Sequence, residues 1–171
     1  KAFHTATTDV RVAEKGRYEN FVLTTGAVLS RNEIAVILDG RGASCRLDSA
    51  YLARGRQHAD NTTSIIHAKP QTTSAEVYKG VLDDQARGVF QGRIVVEKDA
   101  QKADGHQLNK TILLSDRAEI DTKPELEIFA DDVKCSHGAA AGELDEDALF
   151  YLRARGIGQA DARRMLVEAF V

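Results

Sequence analysis

The sequence predicts a mostly β chain, a solenoid of short stacked strands followed by a short C-terminal helical segment. Three observations point there. Short apolar stations rich in β-branched and aromatic residues recur along most of the chain, separated by Gly, Asp, Asn, Ser or Thr. No helical period holds over a dozen residues before Asp145. From Leu144 the pattern turns amphipathic with a helical repeat. The expected division is a β core over residues 1–143 and a helical segment over residues 144–171.

Taken in order, Val10 and Val12 alternate with charged residues, as in a short strand. The next stations are Phe21-Val22-Leu23, Ala27-Val28-Leu29, residues 34–38, Tyr51-Leu52, Ile65-Ile66 and residues 77–82. Val89-Phe90, Ile94-Val95-Val96, Ile112-Leu113-Leu114 and Leu126-Glu127-Ile128 complete the series. Glycines such as Gly40, Gly80, Gly88, Gly92 and Gly105 read as punctuation between strands. Asp39-Gly40 and Asp104-Gly105 are the two hairpin-type dipeptides, too few for a meander. Coils stacked into a tube fit better, although no strict sequence repeat is visible. A sandwich is the second choice.

The helical segment carries its own signals. Asp145 is placed as an N-cap, with Leu144 and Leu149 spaced as a hydrophobic staple. Glu146 and Asp147 suit the positive end of a helix, and Arg153 and Arg155 the negative end. Gly156 is placed to stop it. A second helix fits residues 159–171, with Ala162, Met165, Leu166, Ala169 and Phe170 as its apolar face. Docking onto the end of the β core, or onto a partner, would bury these faces.

Composition excludes several functions. The formal charge of −3 gives no electrostatic footprint for nucleic acid or anionic membrane. Aromatic residues make up 6% of the chain and Trp is absent, so stacking platforms are scarce. No stretch approaches the roughly 20 apolar residues of a membrane span. Two distant cysteines, Cys45 and Cys135, fit a reducing compartment. Lys1 rather than Met, and Val171 within a helical pattern, suggest cut ends.

One chemical cluster stands out, Cys135-Ser136-His137. On a strand, Cys135 and His137 project to the same side. A thiol beside an imidazole binds borderline metals or pairs as nucleophile and base. Two ligands do not close a metal site, and Cys is often simply a small buried residue. His58, His67 and His106 are scattered, and a surface or hydrogen-bonded role is the default for each. Motifs for nucleotide hydrolysis, zinc proteolysis and the serine nucleophile elbow are absent. A parallel β-helix enzyme acting on acidic polysaccharide is the alternative, with Glu119, Asp121, Asp131 and Asp132 as candidate acids and calcium as candidate cofactor.

Several segments resemble one family. They are Gly88-Val89-Phe90-Gln91-Gly92-Arg93-Ile94-Val95-Val96, Leu113-Leu114-Ser115 and Lys123-Pro124-Glu125-Leu126-Glu127-Ile128. Asp131-Asp132-Val133-Lys134-Cys135-Ser136-His137-Gly138-Ala139, Leu149-Phe150-Tyr151-Leu152-Arg153-Ala154-Arg155-Gly156-Ile157 and the closing Ala169-Phe170 continue the match. Together, over residues 64–170, they resemble the SufB/SufD family of iron–sulfur cluster assembly proteins. The Cys-Ser-His-Gly-Ala form resembles the SufD type, whereas the SufB type has Glu-His-Glu-Ala.

The resemblance implies a right-handed parallel β-helix with a helical C-terminal segment. It implies a non-enzymatic scaffold that pairs with a SufB-like protein and binds a SufC-like ABC ATPase. His137, with Cys135 as the weaker candidate, would face a nascent iron–sulfur cluster shared with the SufB-like partner, with none expected in this chain alone. Leu149, Phe150, Tyr151, Arg153, Arg155 and Gly156 would contact the ATPase. Family members carry further helical residues before and after this region. The implied location is the cytoplasm, or the plastid in a photosynthetic eukaryote. An isolated copy is expected to be able to homodimerise through the edge meant for its partner.

Overall fold

A computed structural model describes residues 2–171. Ten strands run in chain order: β1 (Phe3–Val12), β2 (Arg17–Thr24), β3 (Leu29–Leu38), β4 (Ser44–Ala53), β5 (His58–His67), β6 (Thr73–Leu82), β7 (Arg87–Val96), β8 (Asp104–Leu113), β9 (Glu119–Ile128) and β10 (Lys134–Gly142). Two helices follow, α1 (Glu146–Ala154) and α2 (Gln159–Phe170). Odd strands form one sheet, β1-β3-β5-β7-β9, and even strands the other, β10-β8-β6-β4-β2. All eight pairings are parallel. The chain therefore winds as a β-solenoid in which each coil contributes one strand to each sheet.

The register gives the coil length. Leu29 pairs with His58 and His58 with Arg87, an advance of 29 residues each time (29 to 58, 58 to 87). Side chains alternate, so every second residue enters the tube and stacks on its equivalent one coil away. Val36, Ile65 and Ile94 form one such column, each fully buried. Leu38, His67 and Val96 form the next. Repetition resides in the direction of each side chain rather than in its identity, which explains a solenoid without a sequence repeat.

Three details differ from the sequence expectation. The strands are mostly ten residues long, because polar inward residues such as Asn32, Asn61 and Thr63 extend each apolar station. Asp39-Gly40 does lie in the connection between β3 and β4, but Asp104-Gly105 opens β8, and no hairpin forms among the described residues. Gly80, Gly88, Gly92 and Gly105 lie within strands, not between them. They make room inside the tube. A Cβ at Gly80 would fall within the Tyr51 ring, and one at Gly92 within the Gln107 amide.

Helix α1 starts as its sequence signals require. The Asp145 carboxylate accepts from the backbone N–H groups of Asp147 and Ala148 at 2.9 and 3.0 Å. Leu144 and Leu149 are both buried, as a staple demands. Gly156 takes a left-handed φ of 84° just after the helix and the Arg155 cap. Helix α2 docks on the flank of the even sheet rather than on the end of the solenoid. Lys79 Nζ donates to the Phe170 carbonyl at 2.6 Å and lies over the Phe170 ring. Val167 shares a groove with Leu52, Val81 and Leu114. Of the apolar face expected on α2, Ala162 is buried and Leu166 and Phe170 are half-buried, as is Val167 beside them, while Met165 and Ala169 are exposed.

Candidate functional site

The last coil is the candidate site. Strand β9 ends the odd sheet and β10 ends the even one, so neither has a neighbour beyond it among the described residues. The turn between them is held from below. Lys102 N–H donates to the Asp132 carbonyl at 2.6 Å, and the Asp132 N–H to the Gln101 side chain at 3.0 Å. Lys134 N–H then donates to the Ala103 carbonyl at 2.9 Å, which starts β10 in register on β8.

That register places the two candidate ligands. Cys135 stacks on Gly105 and His137 on Gln107, both buried inward residues. Cys135 and His137 thus share the inward face, as their spacing predicted. Cys135 is half-buried against the core, and its thiol titrates above the usual range. Burial is the main cause, the Gly105 backbone N–H opposes it, and the Asp104 charge adds to it. His137 occupies an inward position with no coil above it and is exposed. The remainder of β10 is small: Gly138, Ala139, Ala140, Ala141 and Gly142. The terminal coil therefore presents a low surface from which the imidazole projects. Among the described residues no three His, Cys, Asp or Glu side chains gather to hold a metal ion. A cluster touching this edge needs donors from another molecule.

Between these two residues, Ser136 faces outward into a polar relay that the sequence did not reveal. Its hydroxyl is 2.6 Å from His106 Nδ1, and His106 Nε2 is 2.7 Å from Asp104 Oδ1. Parallel register alone unites them, because Ser136 pairs with His106 across β8 and β10. Ser136 and His106 are exposed and Asp104 is half-buried, so the relay braces the outer side of the edge.

The other predicted site residues lie on α1 and the two positions after it. Phe150 and Tyr151 are 74% and 56% exposed. Arg153, Arg155 and Gly156 are also exposed, and the Arg155 guanidinium stacks 4.5 Å from the Tyr151 ring centroid. Leu149 differs, since at 5% exposure it packs within the chain and offers nothing to a partner. The candidate acids for polysaccharide cleavage do not converge. Asp121 pairs with Arg87, and Asp131 and Asp132 sit in the exposed turn before β10.

The architecture is that of a parallel β-solenoid, with an open terminal coil and a helical segment on its flank. Comparison with known proteins gives the family. Residues 1–170 match the SufBD core domain of the SUF iron–sulfur cluster assembly system, and the chain belongs to that family. It is 40% identical over 168 residues to the iron–sulfur cluster assembly protein SufD of Escherichia coli, covering 98% of this chain and 40% of that one. An iron–sulfur cluster assembly SufBD family protein of Synechocystis is 37% identical over 169 residues, covering 99% and 37%. The chloroplastic protein ABCI7 of Arabidopsis thaliana is 37% identical over 168 residues, covering 98% and 35%. The chain thus spans about two fifths of the length of these relatives.

Proposed function

We propose that this chain is the core of a non-enzymatic scaffold subunit in iron–sulfur cluster assembly. The observation that carries the reading is the open terminal coil, with an exposed imidazole and a half-buried thiol on one face. An unpaired sheet edge accepts another sheet edge. A SufB-like partner docked there would face His137 with its own ligands, and thiolates are the usual ligands of iron–sulfur clusters. His137 would then add one nitrogen ligand to a cluster that is cargo rather than a resident group. Nitrogen ligation in place of a fourth thiolate makes for a cluster that leaves readily.

The exposed face of α1 suits a different partner. Phe150, Tyr151, Arg153, Arg155 and Gly156 form an aromatic and cationic surface that the solenoid does not cover. In this reading a SufC-like ATPase grips that face, and its motion reaches the terminal coil through α2 and the even sheet. In this reading the protein works in the cytoplasm or in a plastid, and its similarity to one bacterial and one chloroplastic relative supports that.

The test uses the full-length protein co-expressed with SufB-like and SufC-like partners and purified without oxygen. Iron and sulfide are measured for the wild type and for His137→Ala. Assembly in both with cluster lost from the variant supports the ligand role. Equal cluster content reduces His137 to a structural residue, and failure of any complex to form removes the scaffold reading.

A further inference from the structure

The inside of the tube is not uniformly apolar, and its polar residues are not scattered. Glu76 on β6 is 1% exposed, and neither carboxyl oxygen has a hydrogen-bond partner among the described residues. Directly above it in the same column stands Gln107, also buried, with both amide atoms unpartnered. The residue above Gln107 is His137 at the open end. The column therefore runs Glu76, Gln107, His137, a rise of about 10 Å over two strand spacings.

The opposing wall is shaped to leave this column polar. Thr63 of β5 faces Glu76, close enough for its hydroxyl to favour the carboxylate, yet its Oγ1 completes no hydrogen bond of ordinary geometry. Gly92, stacked on Thr63, is the one residue small enough to let the Gln107 amide cross the tube. Asn61, two residues before Thr63 on the same inner face, leaves its whole amide unpartnered. Asn109, two residues after Gln107, uses only its oxygen, which accepts from Tyr51 at 3.3 Å. Below Glu76 the column closes with Leu47, fully buried.

Burying one such group without a partner costs on the order of 1–3 kcal/mol. Five polar side chains left so in one interior are not sustained by packing, and buried polar groups without protein partners are satisfied by water. A second buried cluster in the same tube shows the contrast. His67 bonds Thr72 Oγ1 at 2.8 Å and Ser74 Oγ at 2.9 Å, so both ring nitrogens are used. The His67 cluster is satisfied by side chains within the tube, whereas the polar groups around Glu76 complete no such bonds.

We propose that the solenoid holds an internal hydration site, floored by Glu76, walled by Asn61, Thr63, Gln107 and Asn109, and lidded by Gln107 beneath His137. Its ligands are a few ordered water molecules and a proton carried by the Glu76 carboxyl. Burial makes that carboxyl a weak acid, pushed up to about 7. Its charge is felt by the Cys45 thiol on β4 and the Tyr78 hydroxyl on β6. The residues facing it from β5 and β8 are uncharged. The site lies two coils below the terminal imidazole.

The experiment is water-oxygen magnetic relaxation dispersion on the full-length protein, paired with a high-resolution crystal structure. Wild type and Glu76→Gln should show slowly exchanging internal water, with density joining residue 76 to Asn61 or Gln107. Glu76→Leu extends the Leu47 stack and should lose that signal. Equal signal in wild type and Glu76→Leu overturns the proposal. So does a map in which Glu76 bonds protein groups directly with no water between. If Glu76→Leu does not fold, the wild-type map decides alone.

Discussion

The middle coils and the terminal coil are built from the same columns but live in different environments. In the column Leu47, Glu76, Gln107, His137, the first three are buried under a following coil and the fourth is exposed. In the column Val36, Ile65, Ile94, Leu126, only the last is partly open. An inward position becomes a core position only when another coil lies on top. The end of a solenoid is therefore where residues built like core residues become available to a partner.

Truncating one column at two heights gives the largest expected contrast. Ile94→Ala removes a fully buried side chain and should cost about 2–5 kcal/mol. Leu126→Ala, one coil higher, should cost about 1 kcal/mol, because its site can relax and hydrate. Urea unfolding of both variants checks this, and equal costs would mean that the terminal coil is as tightly packed as the middle.

A contrast between the two buried titratable groups comes next. His67 is held neutral, lowered from 6.5 to about 4 chiefly by burial. It therefore gives stability that is present above pH 6.5 and lost as pH falls towards 4. Glu76 is raised from 4.5 to about 7 chiefly by burial, so its contribution is full below pH 4.5 and lost as pH rises through 7. The two slopes oppose one another between pH 4.5 and 6.5. Each is worth about 3 kcal/mol at most, at 1.36 kcal/mol per unit. Wild-type stability should be nearly flat over that window, while Glu76→Gln should rise with pH. A wild type that rises as steeply as the variant would show that the Glu76 carboxyl does not titrate there.

Glycines sharpen the same difference. Gly80→Ala drives a methyl into the Tyr51 ring and should cost about 1–3 kcal/mol. Gly142→Ala in β10 meets nothing within 4 Å and should stay within about 0.5 kcal/mol of wild type. The smallest expected effect is at the site itself. His137→Ala should change stability by less than about 0.5 kcal/mol, because the exposed ring packs under nothing. A thermal shift of many degrees would reveal a structural role and weaken the ligand reading.

Much of this was legible in the sequence. Asp145, the Leu144–Leu149 staple and Gly156 placed the ends of α1, since capping depends on neighbours a few residues away. The two-residue spacing of Cys135 and His137 fixed their common face for the same local reason. The interior glycines were misread because their cause is a side chain from another coil: Tyr51 lies over Gly80, and Gln107 over Gly92. The apolar face of α2 was legible in part: Ala162, Leu166 and Phe170 turn inward as their spacing predicts, while contact of Val167 with the even sheet brings that residue in and leaves Met165 and Ala169 exposed.

The sequence by itself determined the element types, the helix boundaries and the common face of thiol and imidazole. These follow from local periodicity, capping and side-chain alternation, which act over a few residues. Only the tertiary structure decided that His137 stands uncovered at the last coil while Glu76 and Gln107 lie beneath it. It also joined Ser136 to His106 and Asp104, and withdrew Leu149 from the surface. Those relations depend on which residues stack across coils about 30 residues apart, and that register forms only when the whole tube winds.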